Sequence, residues 1–136
     1  MSALKAVQTA VYSTLNGDST LTALAPVFND VPEGEPFPHV EIGSATEKPW
    51  HTMGGASQGL GFNATITIHI WSRYQGDVEA LTILDRVMAL LNFATLSVAG
   101  FNSVLAEHDN TKVLVQDVDK VETRHIAAVF RFRVHQ

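Results

Sequence analysis

Strict alternation of apolar and polar residues over residues 62–71 is the feature that most constrains the fold of this chain. A period of two is typical of a β-strand that buries one face against a core and leaves the other face polar. A second alternating segment occupies residues 122–134, near the end of the 136-residue chain. The side chains predicted to face the core are Phe62, Ala64, Ile66, Ile68 and Ile70 in the first segment and Ile126, Ala128, Phe130, Phe132 and Val134 in the second.

Two other segments follow the helical period of about 3.6 residues. The first begins near Ser2 and is predicted to end at Asn16-Gly17, with the glycine as a left-handed cap. The second runs from a cap at Asp77 to about Asn92. Its main apolar stripe comprises Leu81, Leu84, Met88 and Leu91 and is widened by Ile83, Val87 and Leu90. A stripe that wide predicts contact with the sheet on one side and with another helix or subunit on the other.

The remaining segments predict shorter elements. Asp18 or Ser19 is expected to cap a helical turn that Pro26 ends. The predicted strands cover residues 27–31, 39–45, 62–71, 101–108, 112–118 and 122–134. Together these elements predict a single domain over residues 1–136 of the α+β class, in which a mostly antiparallel sheet carries two main helices on one face. A long glycine-rich loop completes the predicted fold.

That loop is "PWHTMGGASQGLG", residues 49–61, which has no apolar period and no charged residue. A catalytic lid, a metal site and an assembly arm are the functions considered for it. Residues 55–59 match the G-x-S-x-G pattern of a nucleophile elbow, which needs a strand before its serine and a helix after it. Because a strand follows Ser57 instead, we interpret the segment as a loop rich in small residues.

The composition bounds the class of protein. Charged residues make up 17% of the chain and hydrophobic residues 46%, whereas soluble domains carry roughly 25% charged residues. A small domain with so few charges is expected to cover part of its surface with other subunits. The formal net charge of −5 gives no general electrostatic reason to bind nucleic acid.

Several kinds of chemical site have no support in the sequence. The absence of cysteine excludes disulfides, thiolate ligands and a cysteine nucleophile. The histidines form no His-x-x-x-His pair, although His69 and His125 would meet if their strands are neighbours. The glycine-rich loop lacks the residues of a phosphate site, and no run reaches the ~18 apolar residues of a membrane span. We therefore predict a soluble cytoplasmic protein with no metal, no cofactor and no enzymatic activity.

Two arginines, Arg131 and Arg133, flank Phe132 on the last predicted strand. They are compatible with a nucleic-acid-binding stripe or with ion pairs to Asp or Glu on a neighbouring strand or subunit. Because acids outnumber bases in the chain, we prefer the ion pairs.

The order of the segments resembles the tail terminator (tail completion, head-to-tail joining) family of tailed bacteriophages and gene transfer agents. The resemblance covers nearly the whole chain and depends on the order of the segments, since none of them is a chemical motif. It is carried by "ALKAVQTAVYSTLNGDSTLTAL", "VFNDVPEGEPFPHVEIG", "ITIHIWSR" before the helix "DVEALTILDRVMALL", and the closing "RHIAAVFRFRV".

The resemblance implies a non-enzymatic virion protein that assembles in the host cytoplasm and forms a ring, usually hexameric, at the head-proximal end of the tail tube. The implied partners are further copies of the chain, the tail tube protein and a head-side stopper or connector protein. DNA would pass through the lumen without specific binding. The alternatives are another connector ring protein of the same particle and a small oligomeric ligand-binding α+β domain with a closed pocket.

Within such a ring, the glycine-rich loop is expected to order on a neighbouring subunit or on the tube, with its Trp and Met as anchors. The alternative is a surface loop that contacts no partner. The candidate interface residues are Trp50, His51, Met53, Gly54, Gly55, Trp71, Arg131 and Arg133. Because a lumen must not hold DNA tightly, we expect Arg131 and Arg133 to be paired or to lie off the channel.

Overall fold

A five-stranded sheet organises the computed structural model, which describes residues 2–51, 60–74, 76–101, 103–118 and 120–135. The strands are β1 (Val27–Phe28), β2 (His39–His51), β3 (Leu60–Ser72), β4 (Ser103–Val118) and β5 (Val121–His135), and the helices are α1 (Leu4–Asn16), α2 (Ser19–Leu24) and α3 (Val78–Leu91). The strand order across the sheet is β1-β2-β3-β5-β4. Strands β1 and β2 are parallel and the other neighbours are antiparallel. The predicted α+β class and mostly antiparallel sheet are confirmed.

The core lies between one face of the sheet and the helices. The predicted core-facing side chains of β3 and β5 are all at most 6% exposed, which confirms the faces assigned from the alternation. Val40 and Ile42 of β2 point to the same face and are also buried. From the helices, the core receives Val7, Val11 and Leu15 of α1 and Ala80, Ile83, Val87 and Leu91 of α3. Each large side chain buried in this way contributes roughly 1.5–3 kcal/mol of transfer free energy.

The buried stripe of α3 differs from the predicted one. Ile83 and Val87 are at most 1% exposed, whereas Leu81 is 40% exposed, and Leu84 and Met88 are only partly buried. Apolar residues cover so much of the circumference of α3 that the sequence period does not fix the centre of the buried face. The side of α3 that contacts the sheet is the one that carries Ala80, the smallest of these residues.

All three predicted cap positions are correct, but the cap geometry differs from the prediction at two of them. Asp18 accepts a hydrogen bond from the Leu21 N–H at 2.8 Å and caps α2 as predicted. Gly17 has φ −80°, which is not left-handed. A side chain there would place its Cβ 2.8 Å from the Ser13 carbonyl oxygen, so the glycine permits a close approach. Asp77 makes no capping hydrogen bond and instead pairs with Arg124 at 3.5 Å.

Strands β2 to β5 are longer than predicted, whereas β1 covers only Val27–Phe28 of the strand predicted over residues 27–31. The segments predicted as separate strands over 101–108 and 112–118 form one strand, β4, with a β-bulge between His108 and Asn110. Strand β2 extends to His51, which pairs with Leu60 at the start of β3. Residues 49–51 and Gly61 of the predicted loop therefore belong to paired strands. The remaining part of the loop, with Met53, Gly54, Gly55 and Ser57, lies outside the described residues.

Candidate interaction surface

The sheet face opposite the helices carries the polar side chains of the alternating strands. On β3 these side chains are half-buried, and no helix of the described part of the chain packs over them. The face thus resembles neither a solvated surface rich in charge nor a core.

Among the described residues, no helix is long and apolar enough to span a membrane.

One row of side chains crosses this face from edge to edge. Register places His39 of β2 opposite Trp71 of β3, Trp71 opposite His125 of β5, and His125 opposite Leu114 of β4. The ring of Phe28 on β1 meets His39 edge-on, with centroids 6.4 Å apart. We call these five residues the transverse row. It gives one end of the sheet face an apolar and aromatic character.

The centre of the transverse row is a stack of rings. Trp71 and His125 are stacked with centroids 3.9 Å apart and an interplanar angle of 1°. His69 Nδ1 and His125 Nε2 are 2.7 Å apart, so one imidazole donates a hydrogen bond to the other. This confirms the predicted meeting of the two histidines.

The stack also fixes the charge state of His125. Burial, and then the charge that His69 would carry, lower the pKa of His125 to about 4. The imidazole is therefore neutral near pH 7, as its apolar surroundings require. Among the described residues, no three His, Cys, Asp or Glu side chains lie close enough together to hold a metal ion.

An open depression lies beside the His39 end of the row. Its volume is about 540 Å³, and its lining includes Val31, Pro32, Phe37, His39 and Arg73. The Arg73 guanidinium lies 4.1 Å from the centre of the Phe37 ring, a cation–π contact worth roughly 0.5–1 kcal/mol at an exposed site. The depression opens to solvent, unlike the closed pocket expected of a ligand-binding domain.

The two arginines of β5 differ. Arg131 forms the predicted type of ion pair, with Glu107 at 3.2 Å and Asp109 at 3.8 Å. Arg133 is exposed and forms no ion pair within the described part of the chain. Both lie on the same sheet face as Trp71, but six residues separate His125 from Arg131, which corresponds to about 20 Å along a strand. The structure therefore does not bring Trp71 and the arginines into one site.

Exposed apolar side chains form a further feature, which no sequence pattern indicates. Val113 and Val115 of β4 are 45% and 54% exposed, and Phe93, just after α3, is 74% exposed. Phe93 also has φ 58°, a left-handed conformation that costs a non-glycine residue on the order of 1 kcal/mol. Periodicity does not reveal these residues, because it cannot tell an apolar residue in the core from one at an uncovered edge.

The outer edge of β4 is covered along only one half. The Ala106 N–H donates to the Ala94 carbonyl at 3.3 Å, and the His108 N–H donates to Asn92 Oδ1 at 3.0 Å. Beyond the bulge, Asn110–Val118 pairs with β5 on one side and has no backbone partner on the other side among the described residues. We call Asn110–Val118 the open segment.

Comparison with known proteins gives a consistent assignment. The family model of tail completion protein gp17 matches residues 9–135. A chain in the virion of a native gene transfer agent particle shares the fold with a TM-score of 0.82 and 25% sequence identity, over 99% of this chain and 98% of that chain. The gp17 protein of bacteriophage SPP1 has a TM-score of 0.60 and 22% identity, over 97% of this chain and 89% of that chain, and supports the fold alone.

A search of curated proteins gives no significant match, so the assignment depends on the family model and on the shared fold. The matched residues include both alternating strands, all three helices except the first turns of α1, and the whole transverse row. The resemblance drawn from the sequence is thereby confirmed. The chain belongs to the family of tail completion protein gp17, which is a structural family and not an enzymatic one.

Proposed function

We propose that this chain forms a hexameric ring at the head-proximal end of a tail tube, in the virion of a phage or a gene transfer agent. There it ends the polymerisation of the tube and joins the tail to the head-side connector. The observation that carries this proposal is the match of the tail completion family over residues 9–135. The nearly complete correspondence with a chain of a gene transfer agent virion supports it.

The surface of the chain has the properties that a ring subunit needs. Only 17% of the residues are charged, and one sheet face carries the transverse row with no helix of the described residues above it. Contact with other copies or with the tube would bury this face. Arg131 is already neutralised by Glu107 and Asp109, which suits a subunit near a DNA channel. Because Arg133 has no such partner in the described chain, the proposal requires it to lie off the channel.

The candidate interface residues extend this proposal. Trp71 belongs to the transverse row, and Trp50 and His51 lie in β2 next to the predicted arm. We propose that Met53, Gly54 and Gly55 contact a neighbouring subunit or the tube in the finished particle. Limited proteolysis tests this, because cleavage within residues 52–59 should slow at least tenfold on assembly. Equal cleavage rates in free protein and particle would reject an assembly arm.

The main experiment is an in-frame deletion of the gene in cells that produce the particle, followed by electron microscopy of the tails. Without a terminator we expect tails of uncontrolled length and heads without tails. Restoring the wild-type protein should restore uniform, joined tails. The Ser57→Ala variant is the matched control and should restore them equally, because no hydroxyl chemistry is involved.

Two results would contradict the proposal. Tails of normal length joined to heads would show that the chain is dispensable for completion. Tails of normal length that fail to join heads would instead assign the chain to a stopper or adaptor ring, the alternative function within the same connector.

A further inference from the structure

The open segment of β4 has the chemistry of a strand that pairs with another strand. All its described side chains except those of Thr111 and Leu114 are exposed, and it contains the apolar run Val113-Leu114-Val115. It has no proline or glycine and only two charged residues, Lys112 and Asp117. Uncovered edges of this kind pair readily with other chains.

The direction of its backbone groups follows from the covered half of β4. The N–H groups of Ala106 and His108 point away from β5, because both donate to residues 92–94. The bulge adds one residue, after which the ladder resumes with Thr111 opposite Ala128 and Val113 opposite Ile126. By the alternation of an antiparallel ladder, Thr111, Val113, Val115 and Asp117 therefore point their N–H and C=O groups outward.

The ends of the open segment determine which register another strand can adopt. The bulge at His108/Asn110 and the cover from residues 92–94 limit it at one end, and the end of β4 at Val118 limits it at the other. Leu114 is its midpoint. A second copy of the same segment, antiparallel and centred on Leu114, would use its whole length.

The side chains are complementary in that register. Val113 of one copy lies opposite Val115 of the other, on the helix side of the sheet. Leu114 meets its own counterpart on the opposite face, which joins the two transverse rows through their Leu114 ends. Lys112 lies opposite Gln116 and Thr111 opposite Asp117, so no like charges face each other across the strands.

The other edge of the sheet is unsuited to pair with this segment. Strand β1 covers β2 at Val40 and Glu41 only, but beyond them β2 has a bulge between Ile42 and Ala45. Lys48 and Pro49 follow near its end. A bulge, a lysine and a proline are devices that prevent pairing at an edge. Head-to-tail addition of β2 to β4 is therefore disfavoured.

We infer that the free protein pairs with a second copy of itself through the open segments of β4, on a two-fold axis at Leu114. The two sheets then form one continuous sheet through both copies. A two-fold contact closes after two copies and cannot build a cyclic ring, so this pair is distinct from the ring of the proposed function. It covers the edge that would otherwise promote aggregation. The inference depends on the edge geometry and not on the proposed function.

Cysteine cross-linking tests the axis directly, because the natural chain has no cysteine. In Leu114→Cys the two thiols would face each other as a directly opposed, non-hydrogen-bonded pair, with Cα atoms about 4.5 Å apart, within the range of a disulfide. Mild oxidation of the purified full chain should give a covalent species of twice 14.8 kDa. The matched control is Leu105→Cys, on the same strand and sheet face but in the covered half. It should cross-link at least tenfold more slowly.

Charge substitution provides the second test. Leu114→Lys and Leu114→Glu should each sediment as monomers, because like charges meet at the axis, while an equimolar mixture should recover the dimer. Circular dichroism checks that both variants fold, and Leu105→Lys should remain dimeric. A wild-type monomer at about 100 μM, well above the micromolar Kd expected of a small interface, would overturn the inference. So would a mixture that stays monomeric, or equal cross-linking of the two cysteine variants. None of these results would affect the tail-length experiment.

Discussion

The two outer edges of the sheet, formed by β2 with β1 and by β4, are covered to different extents. On the β2 side, β1 covers the first residues, a bulge follows, and Glu47 is tied to the start of α1 through the Ala3 N–H at 2.6 Å and the Ser2 hydroxyl at 3.0 Å. On the β4 side, the described residues cover only the half that precedes the bulge. The remaining half, Asn110–Val118, is an extended and mostly exposed strand.

This difference shows how an assembly protein can limit its own growth. A sheet with two open edges can add copies without limit, as fibres do. A sheet with one closed edge can form only a single edge contact, and further contacts must use other surfaces. Under the proposed function, the sheet face with its transverse row is the surface that remains for ring and tube contacts.

The largest effect is expected from breaking the closed edge at its bulge. In Gly43→Val the new Cβ would overlap the His69 ring and would lie 3.0 Å from the Thr67 carbonyl oxygen. Relieving this clash requires the His69 ring to move, and that ring is hydrogen-bonded to His125. We expect a loss of about 2–3 kcal/mol in the free energy of unfolding, measured by urea denaturation. Ser44→Val, at the exposed neighbouring position, should change it by less than about 0.5 kcal/mol; equal losses would refute the steric account.

Removing the tie between α1 and β2 should have the next largest effect. Glu47→Ala leaves the Ala3 N–H without its charged acceptor, and we expect a loss of about 1–2 kcal/mol in the free energy of unfolding. Glu47→Gln keeps an acceptor and should lose less than half as much. If the alanine variant is as stable as the wild type, the hydrogen bonds of Glu47 to Ser2 and Ala3 do not stabilise this edge.

Lowering the pH should destabilise the fold through His125 of the transverse row, which connects the two edges of the sheet. His125 has a folded-state pKa of about 4, below the roughly 6.5 of an unfolded histidine. Between these values the unfolded chain binds more protons, so stability falls as the pH falls from about 6.5 to 4. We expect this histidine to account for about 1–2 kcal/mol, after allowance for partial solvation. The measurement is the pH dependence of unfolding of the wild type relative to His125→Gln; parallel curves would contradict it.

The smallest effect is expected next to the covered half of β4. Asn tolerates the left-handed conformation that Phe93 adopts, and little apolar contact is lost at a side chain that is 74% exposed. Phe93→Asn should therefore gain about 0.5–1 kcal/mol in the free energy of unfolding. Phe93→Val, which is β-branched, should lose stability. If Phe93→Asn were less stable than Phe93→Val, the Phe93 ring would contribute to the stability of the fold.

Much of the fold was predictable because local patterns determine it. The alternation in β3 and β5 gave the correct core faces, and the Asp18 cap of α2 was correct because its geometry is local. The centre of the α3 stripe was wrong because apolar residues surround most of that helix. The cap positions Gly17 and Asp77 were correct, but their geometry was not. A close approach to Ser13 shapes the first, and an ion pair with Arg124 holds the side chain of the second.

The candidate surface was less predictable because it depends on strand order. His69 and His125 were expected to meet only if β3 and β5 are neighbours, and they are. The stack of Trp71 on His125, the tie at Glu47 and the ion pair of Asp18 with Arg86 at 2.7 Å join residues that are distant in sequence. No period in a single segment reveals such pairs. The open segment required knowledge of which residues cover the edge of β4.

The most direct test of the proposed role is to locate the chain on tails. Electron microscopy of isolated tails labelled with gold through a tag at Gln136 should show one cluster at the head-proximal end, with ring-shaped density and no further growth when tube protein is added. Label spread along the tube, or absent from tails that are complete, would contradict the role of this chain as the terminating ring.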